Sequence, residues 1–411
     1  MSMKLLKVDT TDQVKGKIHR YFRDLELHVE SVDLTHGRGR VLAEDVVAPF
    51  HVPEFNRSTV DGYALISRDT FGVSDSLPVF LEVLGSVEMG KVADLEVTSG
   101  KAVYIPTGGM IPQGADAVIM VEYIEKLDEG TIAVYRSVAP GEGMIHKGED
   151  IKKGEVLLSR GTTLGAHDLG ALAAMGYQRV KVFVRPRVTI ISTGDEIVAP
   201  REEIQMGQIR DINTYALGAM VESMGGQVVE RLLLRDDYDV LRDHLSKVSK
   251  DSDMVLISGG SSVGLKDMTA KVIDSLGSPG VFVHGVAIKP GKPTIIGRIN
   301  DTAVFGLPGH PVSALIVCRL FVGHLMELLL SQQPNQDLQV DAITQENIHS
   351  APGKETYQMV ELFPEGDRML AQPVYGKSGA ISTLTRAHGY IKIETNREGI
   401  NKGDRVRVTL L

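Results

Sequence analysis

The chain has 411 residues, a formal charge of −9, 43% hydrophobic and 24% charged residues, and one cysteine. This length exceeds one ordinary core and predicts two to four domains, while the apolar and charged fractions are those of a water-soluble globular protein. The negative balance excludes an overall positive field for a nucleic-acid backbone, and the lone Cys318 excludes an internal disulfide and a cysteine-based zinc site.

Residues 1–10 lack the apolar core of a signal peptide. Residues 11–47 read as helical, from a Thr-Thr-Asp cap to the apolar series Leu25, Leu27, Val29 and Val32. Between 49 and 148, short β-rich runs at 79–83, 117–121 and 131–135 alternate with Gly, Pro and Asp clusters. They predict a β-rich module inserted before a helix near 165–176. After the junction Arg185-Pro186-Arg187, strands at 188–191, 227–233, 254–257, 281–283 and 303–305 are expected. Helices at 213–224, 239–247, 267–276 and 312–330 come between and after them, so a mostly parallel sheet covered on both faces is predicted. The last helix has membrane-like length, but Arg319, His324 and Glu327 predict a buried helix, no membrane partner and a cytoplasmic protein. Cys318, among Ile316, Val317, Leu320 and Phe321, reads as a buried thiol. Past the polar segment 332–335, alternating runs at 357–362, 390–394 and 405–411 predict a small β-barrel or sandwich.

Open parallel sheets place their sites where loops leave the carboxyl ends of the strands. Ser192-Thr193-Gly194-Asp195-Glu196 offers two carboxylates there, read either as site acids or as a helix cap and a solvated Glu. Ser258-Gly259-Gly260-Ser261-Ser262-Val263-Gly264 has three glycines before a helix, suited to a phosphate, with Asp267 placed to hold a metal against it. Lys289-Pro290-Gly291-Lys292-Pro293 is a stiff pair of lysines, an anion clamp and not a Walker loop. Gly306-Leu307-Pro308-Gly309-His310-Pro311-Val312-Ser313 leads into the longest helix. With Asp236 at another strand end, Asp195, Glu196, Asp236 and Asp267 are expected to converge on one hard cation such as Mg2+. The β-rich module adds Asp61, Thr107 and Asp150 beside turn glycines.

Taken in order, Ser58–Ala64, Pro106–Gly109, Gly114–Val118, Gly148–Ile151, Ser192–Glu196, Ser258–Gly260, Lys289–Pro293 and Gly306–Gly309 resemble the molybdopterin molybdotransferase family. That family includes bacterial MoeA proteins and the E-domains of gephyrin and its plant counterpart, and the similarity spans nearly the whole chain. The resemblance implies four domains. These are a split helical/β domain (1–47 and 149–185), an inserted β-rich domain (48–148), a three-layer parallel α/β domain (186–331) and a C-terminal β-barrel (332–411). It implies an elongated homodimer whose cleft lies between the α/β domain of one subunit and the β-rich domain of the other. Adenylylated molybdopterin and molybdate bind there with Mg2+, and other molybdenum-cofactor enzymes are implied partners.

On this resemblance Asp61, Thr107, Asp150, Glu196 and Asp236 are catalytic positions, and Glu196, Asp236 and Asp267 hold the metal. Gly194, Ser258, Gly259, Gly260, Ser261, Lys289, Lys292, Pro308 and Pro311 bind substrate. Three departures stand out. Gly285 takes the place of a lysine common in relatives, His310 that of an asparagine, and Ile145-His146 that of arginines. Three alternatives are weighed. Gly260–Gly264 also fits Gly-x-Ser-x-Gly, a serine hydrolase with Ser262, Asp274 and His310, although no His-Gly-Gly-Gly motif precedes it. A non-catalytic gephyrin-like scaffold and an adenylyltransferase acting one step earlier are the others.

Overall fold

A computed structural model describes residues 8–259, 263–333, 338–376 and 380–411. The chain forms two units, Met1–Glu44 with Arg160–Leu169 and Gln178–Leu411, and Asp45–Ser159 with Gly170–Tyr177.

In the first unit Thr10 opens helix α1 (Thr11–Phe22) through a capping box with Gln13, and Val14, Ile18 and Phe22 are buried at four-residue spacing. The helical reading of 11–47 is corrected beyond Phe22. Leu25, Leu27 and Val29 are two residues apart, a strand spacing, and Val29–Asp33 pairs antiparallel with Arg179–Phe183. Helix α2 (Ala166–Ala174) stands where a helix was expected.

The α/β region follows in chain order. Strand β1 (Arg187–Thr193), helix α3 (Asn213–Ser223) and strand β2 (Gln227–Leu234) come first. Helix α4 (Tyr238–Val248), strand β3 (Met254–Gly259) and helix α5 (Val263–Leu276) continue the alternation. Strands β4 (Pro279–His284), β5 (Ile295–Ile299) and β6 (Thr302–Leu307) precede the long helix α6 (Pro311–Leu329). The sheet order is β2-β1-β3-β6-β5-β4. The first four strands are parallel, while β5 runs antiparallel to both neighbours. Alternation along each strand splits the core. Ile190, Leu256 and Phe305 pack with α1, α3 and α6, whereas Ile191, Val255 and Val304 pack with α4 and α5.

Helix α6 is the one helix among the described residues long and apolar enough to cross a membrane, yet 67% of its apolar window is buried inside the protein. A π segment at Cys318–Val322 interrupts it. Cys318 is fully buried, and burial pushes its thiol up to about 12, so the expected inert thiol is found.

The C-terminal strands close on themselves. Glu355–Glu365 pairs with both Arg368–Pro373 and Gly389–Ile393. The ring is completed through Arg405–Leu410 and Gln339–Thr344, which pairs back to Arg368–Pro373. Ala342, Val360, Ala371, Ile391 and Val408 fill the interior of this closed barrel. Ile288–Lys289 joins it in parallel, opposite Glu355 and Thr356.

The second unit holds a six-stranded sheet in the order Ala117–Met120, Gly62–Leu65, Lys101–Ile105, Val79–Ser86, Thr131–Val134, Ile124–Lys126. Tyr63, Leu65 and Ile119 point into one cluster and Ala64, Val103 and Val118 into another, so both faces are covered. Val46–Val47 pairs with Val156–Leu158 where the chain enters and leaves.

Candidate functional site

At the carboxyl edge of the parallel strands, three loops meet on glycine backbone. Thr193 ends β1 opposite Gly259, the last residue of β3. A Cβ on Gly259 would lie 2.0 Å from Thr193 Oγ1 and 2.5 Å from its carbonyl oxygen, so only glycine fits. Gly309, after β6, lies against the same residue, since its own Cβ would be 3.6 Å from the Gly259 carbonyl carbon. Gly260 and Ser261, expected to bind substrate, lie outside the described residues, as does Ser262.

The first residue of α3 ties these loops together. Asn213 Nδ2 donates to Ser258 Oγ (2.7 Å) and to the Gly309 carbonyl (2.8 Å). Beneath it, Asp211 accepts from Ser192 Oγ (3.0 Å) and from the Thr214 N–H (3.2 Å), which caps the helix. Neither Asn213 nor Asp211 was expected from the sequence. Their one signal is a polar Asp-x-Asn-Thr start ahead of an apolar helical run.

Beside the glycines stand the acids. No helix follows Gly194-Asp195-Glu196; the chain continues into Ile197–Val198, paired with Ile209–Arg210, so the helix-cap reading of this loop is corrected. Gly194 is buried, and the Asp195 and Glu196 residues are exposed. Asp236 is half-buried, and its N–H faces Asp195 Oδ1 at 3.4 Å. Burial first, and then the charges of Asp195 and Glu196, push the Asp236 carboxyl above the usual carboxylate range, against a hydrogen bond from Thr193. Its buried Oδ1 has no partner. The neighbouring Asp237 is a cap, accepting from the Val240 N–H of α4 at 2.9 Å.

The four-acid convergence is not preformed. Asp267 is exposed on α5, and among the described residues no group of three His, Cys, Asp or Glu side chains has metal-holding geometry. The fit to Mg2+ is of a sparser kind. This ion keeps several waters and takes one or two carboxylates plus substrate phosphate, and Asp236 with its orphaned oxygen beside Glu196 supplies such a set.

The lysine loop is held rigidly. Val286 N–H donates to the Lys292 carbonyl (2.9 Å), and buried Thr294 Oγ1 donates to the Gly291 carbonyl (2.7 Å). Lys289 and Lys292 are exposed, as an anion clamp requires. Pro308 and Pro311 are buried, Pro311 at the first position of α6.

In the second unit Asp61 Oδ1 accepts from the Thr107 N–H (2.7 Å) and hydroxyl (3.0 Å). These two bonds hold the exposed carboxyl below the usual range. Gly108, at φ +84°, makes that turn. Asp150 is exposed on a loop pinned by its N–H to the Val52 carbonyl (3.1 Å).

The hydrolase arrangement finds no support. Asp274 Oδ1 accepts from the Val281 N–H (2.7 Å), at the amino edge of the sheet, whereas His310 follows the carboxyl end of β6. A six-residue strand, roughly 17 Å at about 3.3 Å per residue, separates these edges.

Comparison with known proteins identifies the family. Family models for the MoeA N-terminal region (domain I and II), a probable molybdopterin binding domain and the MoeA C-terminal region (domain IV) match residues 9–176, 189–327 and 341–411. The chain is 32% identical to the molybdopterin molybdenumtransferase of Haemophilus influenzae, covering 97% of this chain and 98% of that one. It is 32% identical to that of Bacillus subtilis, over 93% and 90%. Two crystal structures of molybdopterin biosynthesis MoeA proteins from Pyrococcus horikoshii superpose with TM-scores of 0.82 and 0.83, at 40% and 34% identity, each covering 98% of this chain and 99% or more of its own. The chain belongs to the MoeA family of molybdopterin molybdenumtransferases.

Proposed function

We propose that this transferase inserts molybdate into adenylylated molybdopterin in a Mg2+-dependent reaction that releases AMP. One observation carries the reading: bare glycine backbone and a crowded carboxylate group with an orphaned oxygen share one sheet edge. Helix-start loops at such an edge suit a phosphate, and crowded carboxylates are relieved by a cation.

In this proposal Glu196 and Asp236 would hold Mg2+, joined by Asp267 only when substrate is bound, and the ion would offset phosphate charge. Lys289 and Lys292 hold the molybdate dianion by charge-assisted hydrogen bonds. Gly194, Ser258, Gly259, Gly260, Ser261, Pro308 and Pro311 form the substrate cradle, and Asp61, Thr107 and Asp150 are further functional positions. The chemistry balances without a redox partner. Two thiol protons leave with one molybdate oxygen as water while two Mo–S bonds form, and water added across the phosphoanhydride yields AMP. A homodimer is the proposed assembly and the cytoplasm its setting.

The adenylyltransferase alternative is separated by supply. Protein given molybdopterin and ATP without molybdate should form no adenylylated pterin, whereas protein given adenylylated molybdopterin should bind it. The reverse pattern would move the chain one step earlier in synthesis.

A further inference from the structure

We infer that Asn213 is a positioning residue for the pterin substrate, a clamp whose amide sets the spacing between the Ser258–Gly259 and Gly309 strand ends. The inference rests on the function proposed above. Both Nδ2 protons are spent on those two loops, at 2.7 Å to Ser258 Oγ and 2.8 Å to the Gly309 carbonyl. A carbonyl can only accept, so the amide orientation is determined. Because Ser258 Oγ accepts from Asn213, its own proton points elsewhere.

The base of the clamp is anchored independently. Ser192 Oγ bridges Asp211 (3.0 Å) and Thr214 Oγ1 (2.9 Å), so the start of α3 is fixed to the end of β1. Asn213 therefore joins the ends of β3 and β6 through its side chain, while its neighbours Asp211 and Thr214 tie the same helix start to β1. The two strand ends it spaces lie about one methyl group apart, since a Cβ added to Gly309 would just reach contact with the Gly259 backbone at 3.6 Å.

A cost of the arrangement points to function beyond capping. Asn213 is only 8% exposed, and its Oδ1 is buried without a donor. Buried side-chain oxygens are rarely left unpaired. An alanine here would avoid that penalty, and Asp211 already accepts from the Thr214 N–H at the helix start. What alanine cannot do is hold two strand ends at fixed separation.

The test uses Asn213→Asp and Asn213→Ala in the full chain, with adenylylated molybdopterin, free of molybdate and Mg2+, as the probe and equilibrium ultrafiltration as the assay. Asn213→Asp keeps the shape but turns an oxygen toward the Gly309 carbonyl and Ser258 Oγ. Its Kd should rise about tenfold or more, the order of one lost hydrogen bond with its repulsion. Lowering pH should restore part of the binding in this variant alone, because a protonated carboxyl regains one donor. Ser258→Ala, which removes an acceptor and leaves Asn213 intact, should weaken binding non-additively with Asn213→Asp. Thr189→Val is the stability control. It breaks the buried Thr189–Ser252 hydroxyl pair (2.9 Å) near the amino edge, and should lower Tm while leaving Kd unchanged. Kd values within about twofold of wild type in both Asn213 variants would overturn the inference. Wild-type protein that fails to bind adenylylated molybdopterin would overturn the proposed function itself.

Discussion

Replacing Gly259 by alanine probes the packing on which the site is built. The added Cβ would meet Thr193 Oγ1 at 2.0 Å and the Thr193 carbonyl oxygen at 2.5 Å. The hydroxyl can rotate away, but the carbonyl belongs to a strand paired in register with Gly259 itself, so the two strand ends must part. Overpacking of this kind costs about 1–3 kcal/mol. At about 2–4 °C per kcal/mol, Tm should fall by roughly 2–12 °C. Calorimetry measures that loss, and binding of adenylylated molybdopterin should weaken as the strand ends of its proposed cradle part. Thr193→Ala in the same chain should restore only part of the stability, since it removes the hydroxyl clash and leaves the carbonyl clash. A Gly259→Ala protein within about 1 °C of wild-type Tm would refute the close approach.

Lys289→Ala should cost about 1.5–3 kcal/mol of oxyanion binding, with Tm unchanged and activity restored by raised molybdate; an unchanged molybdate dependence removes the lysine from the site. Glu196→Gln and Asp236→Asn should each lower AMP release by orders of magnitude, non-additively, because both serve one ion. The raised Asp236 carboxyl binds a proton more readily in the folded than in the unfolded state. Its contribution to stability is therefore greatest below both pKa values and declines as pH rises from the ordinary carboxylate value through the folded one, and Asp236→Asn should remove that slope from Tm-versus-pH curves. Sedimentation should give a dimer with an interface above roughly 2,000 Å2, and a monomer at micromolar concentration counts against the assembly.

The α/β order was legible because each strand is a short apolar run and each helix carries its own face, from Ile190 and Ile191 to Leu241 and Leu245. Strand β5 was missed, since Gly297 and Arg298 interrupt its apolar run and it reverses direction against its neighbours. The helical reading of 11–47 held to Phe22 and failed beyond it because Leu25, Leu27 and Val29 follow a strand period that the helical cap had overshadowed. The acids of the site could be picked out as types, but their grouping depended on the fold, which leaves Asp267 exposed on α5. Asn213 was invisible for a simpler reason. Its partners Ser258 and Gly309 are 45 and 96 residues away, and nothing local marks it as more than the start of a helix.

The most direct measurement follows AMP and molybdenum together in one reaction. Purified protein receives adenylylated molybdopterin, with molybdate and Mg2+ each supplied or withheld, and released AMP is compared with pterin-bound molybdenum. Release is expected only when both are present, with about one molybdenum incorporated per AMP, as the proposed coupling of insertion to phosphoanhydride cleavage requires. AMP released at the same rate without molybdate, or molybdenum incorporated without AMP, would contradict it.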